Sequence, residues 1–186
     1  DTEYCYSVQA GNSMGESEPS DVACATTFPE YTGPPMITLG SASVNAGDVF
    51  GIDVSLANPG NPVAGIQIQI QDTPDHLDVN DIVGTDRLDG FQVSFNSQGD
   101  GSVVFLAFSL TGDTIDPGTG PIATINYQST TPYEASVSLS VVESILSDSN
   151  GQPIEHESEN GNVNISGEEP PPEAPDAPTG LVAIDA

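Results

Sequence analysis

Hydrophobic and polar residues alternate along much of the chain between residues 36 and 166. In segments 50–56, 66–71 and 91–96, an apolar residue stands at every second position. This period is typical of a β-strand with one face in a core. Segments 103–108, 122–127, 137–142 and 162–165 predict further strands. Segment 103–108 is apolar throughout, which predicts a central strand covered on both faces.

Turn-forming residues separate these segments. Gly, Pro, Asn and Asp cluster at 58–62, 98–101 and 148–151, and no segment shows a helical period. About nine short strands in such a span predict an all-β sandwich with jelly-roll or Greek-key connections. We therefore predict one β-sandwich over residues 36–166.

The first 27 residues predict a β-hairpin, because segments 4–10 and 21–25 alternate on either side of a polar turn. With the turn centred on Met14 and Gly15, Cys5 stands opposite Cys24, within reach of a disulfide. A disulfide indicates an oxidising compartment, so we expect a secreted or cell-surface protein. Two buried free thiols are the alternative.

Composition changes sharply on either side of the predicted sandwich. Segment 28–35 is a short linker with three prolines, and segment 167–177 is a linker rich in Pro and Glu. Segment 178–186 returns to a strand-like pattern. We therefore predict five parts, with boundaries at 27, 35, 166 and 177.

Charge is the most unusual property of the chain. It has 28 Asp and Glu residues against one Lys or Arg, Arg87, and its net charge is −27. Such a surface repels phosphate, which argues against nucleic acid and anionic membranes as partners. No run of 18 apolar residues predicts membrane insertion. The excess of carboxylates indicates either a solvated acidic surface or bound Ca²⁺.

One short segment gathers candidate metal ligands. Asp72, Asp75 and Asp78 lie close together in the sequence, with His76 between them and Asp81 just beyond. Carboxylates in a loop suit Ca²⁺, although the full spacing of a calcium-binding loop is absent. We keep Asp72, Asp75 and Asp78 as weak candidates and predict no required cofactor, with Ca²⁺ possible. The similar segment 148–151 predicts a plain turn.

Candidates for other chemistry are few. His76 and His156 are the only histidines, and no Ser or Cys motif places a nucleophile beside either, so we predict no enzymatic activity. Trp is absent, and Tyr127 and Tyr133 are better explained by packing than as a sugar platform. Asn164 begins an Asn-Ile-Ser sequon and is a candidate for glycosylation.

Both ends of the chain resemble a fibronectin type III domain. The N-terminal resemblance lies in Tyr4, Tyr6, Val8, Ala10, Asn12, Gly15 and Ser17, and the C-terminal one in Pro175, Pro178, Leu181 and Ala183. It implies that residues 1–27 are the last two strands of one such domain. Residues 178–186 would then be the first strand of the next.

The central region resembles a cohesin module, the sandwich that docks dockerins on bacterial scaffolding proteins. The resemblance lies in Ala46-Gly47-Asp48, segments 64–79, 103–108 and 120–127, and the closing segment 161–165. Many cohesins present an outward Asn and Asp on the third strand, where this chain has Gly65 and Gln67. The resemblance implies a binding face that uses Gln67, Gln69 and Gln71, and a solvated polar sheet face is the alternative.

Three functions follow from these patterns. We predict a non-catalytic extracellular module, a repeat unit of a surface scaffold, stalk or fibre whose copies join by pairing β-strands. The alternative is a cohesin that docks a dockerin-like partner on a polysaccharide-degrading scaffold. A carbohydrate-binding module is the third hypothesis.

Overall fold

The computed structural model describes residues 3–26, 32–60 and 62–169 of the 186 residues. The chain divides into two compact units between Gly33 and Pro34. The predicted C-terminal strand 178–186 and most of both predicted linkers lie outside the described residues. No helix in the described part of the chain is long and apolar enough to cross a membrane.

The N-terminal unit is built on an antiparallel hairpin. Strand β1 (Glu3–Tyr6) pairs with β4 (Ala23–Thr26), and Cys5 lies directly opposite Cys24. The two sulfur atoms form a disulfide, which confirms the predicted bridge. Every residue of β1 is exposed to solvent, so the hairpin has no core of its own among the described residues.

The predicted centre of the hairpin turn is wrong by one residue. Strand β2 (Gly11–Asn12) pairs with β3 (Gly15–Glu16), and the turn is therefore centred on Ser13 and Met14. The Asn12 side chain accepts a hydrogen bond from the Met14 N–H at 2.8 Å, which closes the turn locally. The register near the turn thus differs from the register at the disulfide.

The second unit is a β-sandwich, and its strands are numbered in the order in which they occur along the chain. They are β5 (Met36–Leu39), β6 (Ala42–Asn45), β7 (Val49–Ala57), β8 (Gly65–Thr73), β9 (Leu77–Gly84), β10 (Gln92–Ser97), β11 (Ser102–Phe108), β12 (Thr119–Ser129), β13 (Ala135–Ser147), β14 (Pro153–Ile154), β15 (Glu157–Glu159) and β16 (Gly161–Ser166). One short 3₁₀ turn, Asp86–Leu88, follows β9.

These strands form two sheets, which confirms the predicted all-β jelly-roll sandwich. The first sheet has the order β10-β11-β8-β13-β16-β6, with β14 beside β13. The second has the order β15-β5-β7-β12-β9. Neighbouring strands are antiparallel except for β15 with β5 and β16 with β6, which are parallel. In each sheet, one strand from the start of the sandwich therefore pairs with one strand from its end.

Alternation along the strands builds the core between the sheets. Ile66, Ile68 and Ile70 of β8 are at most 2% exposed, and inward residues of β7 pack from the other sheet. Burying one such side chain stabilises the fold by about 1.5–3 kcal/mol. In β7 and β8 the alternation therefore predicts correctly which face is buried.

Two predictions about individual strands are wrong. Residues 77–84, where the sequence predicted no strand and offered Asp78 and Asp81 as possible loop ligands, form strand β9. Segment 103–108 is an interior strand, but only one of its faces is fully buried. Val104 and Leu106 on the outer face remain partly accessible. The second sheet covers the inner face of β11, and no element of the sandwich lies over the outer one.

Candidate functional site

The outer face of strand β8 carries the predicted row of glutamines. Gln67, Gln69 and Gln71 are partly buried and point away from the core, because the isoleucines between them point inward. In an antiparallel sheet, the side chains of paired positions stand side by side. The row is therefore the centre line of a surface that also includes the neighbouring strands β11 and β13.

Apolar side chains flank the glutamine row. Gln67 lies between Leu106 of β11 and Ile145 of β13, and Ile145 is 44% exposed. Gln69 lies between Val104 and Glu143 in the next row. The surface thus mixes apolar contact area with amide groups, a composition found at the centre of protein interfaces.

The three glutamines differ in their hydrogen bonds. The Gln71 amide donates to the carbonyl oxygens of Asp100, at 2.7 Å, and Asp72, at 3.1 Å. The Gln69 amide donates to the Ser102 hydroxyl at 3.4 Å. The Gln67 amide has no hydrogen bond to any described residue. Gln71 is therefore fixed by the protein, whereas Gln67 has its full hydrogen-bonding capacity available to a partner.

Gly65 begins the same outer row, and the structure explains why no side chain stands there. A Cβ atom at this position would lie 2.6 Å from the Ser147 hydroxyl of strand β13. Any side chain at residue 65 would have to displace Ser147. The Ser147 hydroxyl thus lies where the first side-chain atom of a larger residue would stand.

The outer faces of the two sheets differ in charge. Among the described outward positions of β10, β11, β8 and β13, Glu143 is the only carboxylate. The outer face of the other sheet carries Asp53 and Asp81, which accept hydrogen bonds from Thr124 and Asn126. We name the surface of β10, β11, β8 and β13 the glutamine face, and it is a charge-poor surface on a strongly acidic chain.

The structure does not bring the weak metal candidates together as a trio. Asp72 is buried at the end of β8, Asp75 is exposed in the following turn, and Asp78 is exposed on strand β9. In the described part of the chain, only Glu3, Cys5 and Cys24 place three possible ligand atoms within 4.8 Å of one another. The two cysteines of that group form the disulfide, so the group is not a metal site.

Asp72 is unusual because its carboxylate is buried, and no described residue forms an ion pair with it. Burial raises the pKa of Asp72, while hydrogen bonds from the backbone N–H groups of His76 and Leu77 act in the opposite direction. Asp72 follows Ile66, Ile68 and Ile70 at the next even position of β8. The same alternation could have predicted that this side chain points inward.

A Ser–His contact that the sequence did not predict lies near the end of β13. The Ser144 hydroxyl is 2.8 Å from Nε2 of His156, and Nδ1 of the same ring is 2.8 Å from the Ile154 carbonyl oxygen. The carbonyl can only accept, so Nδ1 carries the proton and Ser144 donates to Nε2. The contact is partly buried and links strand β13 to the connection between β14 and β15.

The remaining candidates occupy separate places. Tyr127 is 2% exposed and packs against Phe50, so it belongs to the core, whereas Tyr133 is 36% exposed. Asn164 is exposed on β16 and accepts a hydrogen bond from Ser136 at 3.2 Å. Its glycosylation stays a prediction. Asp148 accepts from the N–H groups of Asn150 and Gln152, as expected for a plain turn.

The sandwich matches a known protein family. A model of the Cohesin domain matches residues 35–165, which is more than half of the chain. A comparison with curated proteins finds no similar sequence. The match begins just before β5 and ends within β16, so it covers both sheets.

Solved structures with the same fold support this match. A chain from a type I cohesin–dockerin complex of Clostridium thermocellum is 15% identical, with a TM-score of 0.63, and the alignment covers 76% of this chain and 99% of that one. A non-cellulosomal cohesin from Archaeoglobus fulgidus is 19% identical, with a TM-score of 0.60 and coverages of 72% and 91%. A cohesin from Clostridium acetobutylicum is 21% identical, with a TM-score of 0.59 and the same coverages.

Proposed function

The chain belongs to the cohesin family, and we propose that its sandwich binds a dockerin through the glutamine face. Cohesin domains are protein-interaction modules without catalytic activity. The similar chain from Clostridium thermocellum comes from a complex with a dockerin, which supports a dockerin as the partner. The proposal assigns the interaction to a specific surface of this chain.

The charge-poor composition of the glutamine face is the observation that carries this proposal. The chain has 28 acidic residues, yet the outward positions of four adjacent strands hold one carboxylate among the described residues. Depletion of charge at the centre of a surface is a property of protein interfaces. Desolvating this face costs less free energy than desolvating the acidic outer face of the other sheet.

Recognition on this face combines apolar contact with amide hydrogen bonds. Leu106 and Ile145 supply apolar area on either side of Gln67, whose amide is free to donate and accept. The face lacks the outward Asp of many cohesins, and Glu143 is its only carboxylate among the described residues, so most of its hydrogen bonds to a partner would be neutral and weaker than charge-assisted bonds. We therefore expect recognition to depend strongly on Leu106 and Ile145.

Capture experiments with dockerin modules from the same genome test the proposal. We expect the double variant Gln67→Ala/Gln69→Ala to bind about tenfold more weakly, because two hydrogen bonds of about 0.5–1.5 kcal/mol each are lost. We expect Ile145→Asp to abolish capture, because it places an unpaired charge in the interface. Surface plasmon resonance in the presence of Ca²⁺ measures both effects.

The other sheet offers a matched control. Gln128→Ala also removes an exposed glutamine from the outer face of a strand, β12, and should leave dockerin binding unchanged. Circular dichroism and the thermal midpoint show whether each variant folds. Failure of the wild-type chain to capture any dockerin would contradict the proposal, as would equal losses in Gln128→Ala and Gln67→Ala/Gln69→Ala.

An extracellular location fits this function. The Cys5–Cys24 disulfide is expected to persist in an oxidising compartment, and the net charge of −27 suits a protein whose partners are not nucleic acids. We propose that the chain acts outside the cell as part of a larger scaffold. Loss of the disulfide in protein recovered from its native location would argue against this placement.

Pairing of strands between copies is a second candidate function. The N-terminal hairpin pairs two strands of four residues, and exposed Tyr4, Tyr6 and Val22 give it apolar surface without a core among the described residues. A two-stranded hairpin is marginally stable alone, so further strands from another copy would stabilise it. Sedimentation velocity at rising concentration tests this function, and a chain that stays monomeric contradicts it.

A further inference from the structure

One oxygen of the buried Asp72 carboxylate has no partner among the described residues. Asp72 is 2% exposed, and its Oδ2 atom accepts hydrogen bonds from the N–H groups of His76 at 2.9 Å and Leu77 at 3.0 Å. The Oδ1 atom is buried and accepts no hydrogen bond. A buried carboxylate oxygen without a partner is costly, so Oδ1 needs a proton, a water molecule or a cation.

The unpartnered oxygen points towards Gly101, in the turn between β10 and β11. A Cβ atom built on Gly101 would lie 2.5 Å from Oδ1 of Asp72, 2.9 Å from Nε2 of Gln71 and 3.1 Å from the carboxyl carbon of Asp75. Two carboxylates, one from the end of β8 and one from the turn that follows it, thus converge beside one glycine. A side chain at residue 101 would meet all three groups, so only glycine lets them approach the turn this closely.

Solvent reaches this region from the side of Asp75. Asp75 and Gly101 line a surface cleft together with Asp78 and Asn80 of strand β9. Asp72 lies behind this lining, so an ion would meet Asp75 first and reach Oδ1 of Asp72 from there, keeping part of its water shell. Asp78 lines the same cleft, but Asp72, Asp75 and Asp78 do not place three oxygen atoms within 4.8 Å of one another.

We propose that Asp72 and Asp75 bind one Ca²⁺ ion beside Gly101. Ca²⁺ prefers six to eight oxygen ligands, accepts irregular geometry and tolerates several water molecules, so one buried carboxylate, one exposed carboxylate and water suit it. Mg²⁺ demands near-octahedral geometry and loses water less readily. The ion would join the end of β8 to the turn that precedes β11.

The single Lys or Arg of the chain is engaged elsewhere in the sandwich. Arg87 is the only Lys or Arg, and its guanidinium group is hydrogen-bonded to the side chain of Asn58 and to carbonyl groups of other residues. A proton shared between Asp72 and Asp75 is the competing explanation for the converging carboxylates. Burial raises the pKa of Asp72 and the charge of Asp75 adds to this, so either a proton or an ion would relieve the same repulsion.

Calorimetric titration of the full chain with CaCl₂ separates these explanations. At about 0.5 M NaCl, diffuse attraction of Ca²⁺ to the acidic surface is screened, and we expect one saturable site per chain. The same titration with MgCl₂ should give at least tenfold weaker binding. Saturating Ca²⁺ should also raise the thermal midpoint, because the ion binds only the folded chain.

Variants identify the ligands. Asp75→Asn should weaken Ca²⁺ binding at least tenfold, and it should fold normally because Asp75 is exposed. Asp89→Asn removes the same charge from an exposed turn outside the cleft and should bind Ca²⁺ like the wild type. Asp72→Asn keeps an acceptor for the two N–H groups, so it tests the second ligand with little change in shape.

Two results would overturn the proposal. A wild-type chain without a saturable calorimetric signal would indicate the shared proton instead, and equal losses in Asp75→Asn and Asp89→Asn would indicate diffuse binding. If Asp72→Asn fails to fold, circular dichroism reveals it and the Asp75→Asn result decides. The titration uses no dockerin, so its failure leaves the proposed docking function untouched.

Discussion

Arg87 shows how one residue organises a chain that has almost no positive charge. Its guanidinium group donates to the carbonyl oxygens of Leu56, at 2.7 Å, and Gly120, at 2.9 Å. It also donates to the Asn58 side chain at 2.7 Å and to the Asp116 carbonyl oxygen at 3.3 Å. Partial burial lowers the pKa of Arg87. The only arginine thus joins β7, β12 and the loop between β11 and β12, and pairs with no carboxylate among the described residues.

Replacing Arg87 should destabilise the sandwich because its hydrogen-bond donors are held in a fixed planar arrangement. Arg87→Lys keeps the charge but loses the planar fork, so we expect the free energy of unfolding to fall by about 2 kcal/mol. Arg87→Met leaves all four acceptors without this donor and should cost more, about 3–4 kcal/mol. Urea unfolding at about 1 M NaCl measures both with long-range repulsion screened. An Arg87→Lys variant as stable as the wild type would show that charge alone matters.

At the scale of strands, β-bulges limited what the sequence could predict. Strand β9 has an extra residue, Asn80, between two positions that pair with neighbouring residues of β12. Strand β13 has an extra Val142 opposite β8 in the same way. Each bulge shifts the inward positions by one, so the period of two residues breaks. The uninterrupted strands β7 and β8 were predicted well, whereas β9 was missed.

The candidate site was predictable only along one strand. Alternation in β8 placed Gln67 on the outer face correctly and, read one step further, would have placed Asp72 inward. The neighbours of Gln67 are Leu106 and Ile145, which are 39 and 78 residues away along the chain. Their positions depend on the register of strands that are distant in sequence, and no local pattern encodes that register. The same holds for the approach of Gly101 to Asp72.

Two crossings between the sheets meet at a pair of glycines. The chain passes from β5 to β6 at Gly40 and from β15 to β16 just before Gly161, and both crossings lead from the second sheet to the first. A Cβ atom on Gly161 would lie 2.1 Å from the Gly40 carbonyl oxygen. Because the obstacle is backbone, no side-chain rotation relieves the clash. This close approach allows β15 and β16 to run parallel to β5 and β6.

We expect Gly161→Ala to reduce the free energy of unfolding by about 2–3 kcal/mol, because the two backbones must move apart. Gly118→Ala is the matched control. Its Cβ would lie no closer than 3.6 Å to another group, so its stability should change little. Chemical unfolding curves of the two variants provide the measurement. Equal stability of Gly161→Ala and Gly118→Ala would show that the crossing can widen without cost.

At the scale of the whole molecule, the excess of carboxylates works against the fold. A net charge of −27 on 186 residues repels itself more strongly in the compact state than in the expanded unfolded chain. With one Lys or Arg, ion pairs cannot offset that repulsion, and dissolved cations must screen it. The screening length falls from about 10 Å at 0.1 M salt to about 3 Å at 1 M. Stability should therefore increase with ionic strength.

We expect the urea midpoint at pH 7 to rise steadily from about 0.05 M to 1 M NaCl and to flatten once the screening length is shorter than the spacing of surface charges. KCl should act like NaCl, because screening depends on ionic strength. Millimolar CaCl₂ added at about 0.5 M NaCl should raise the midpoint further in the wild type, but not in Asp75→Asn. A midpoint that does not respond to NaCl would mean that the carboxylates repel one another as strongly in the unfolded chain as in the native one. Stability would then depend on local contacts such as those of Arg87.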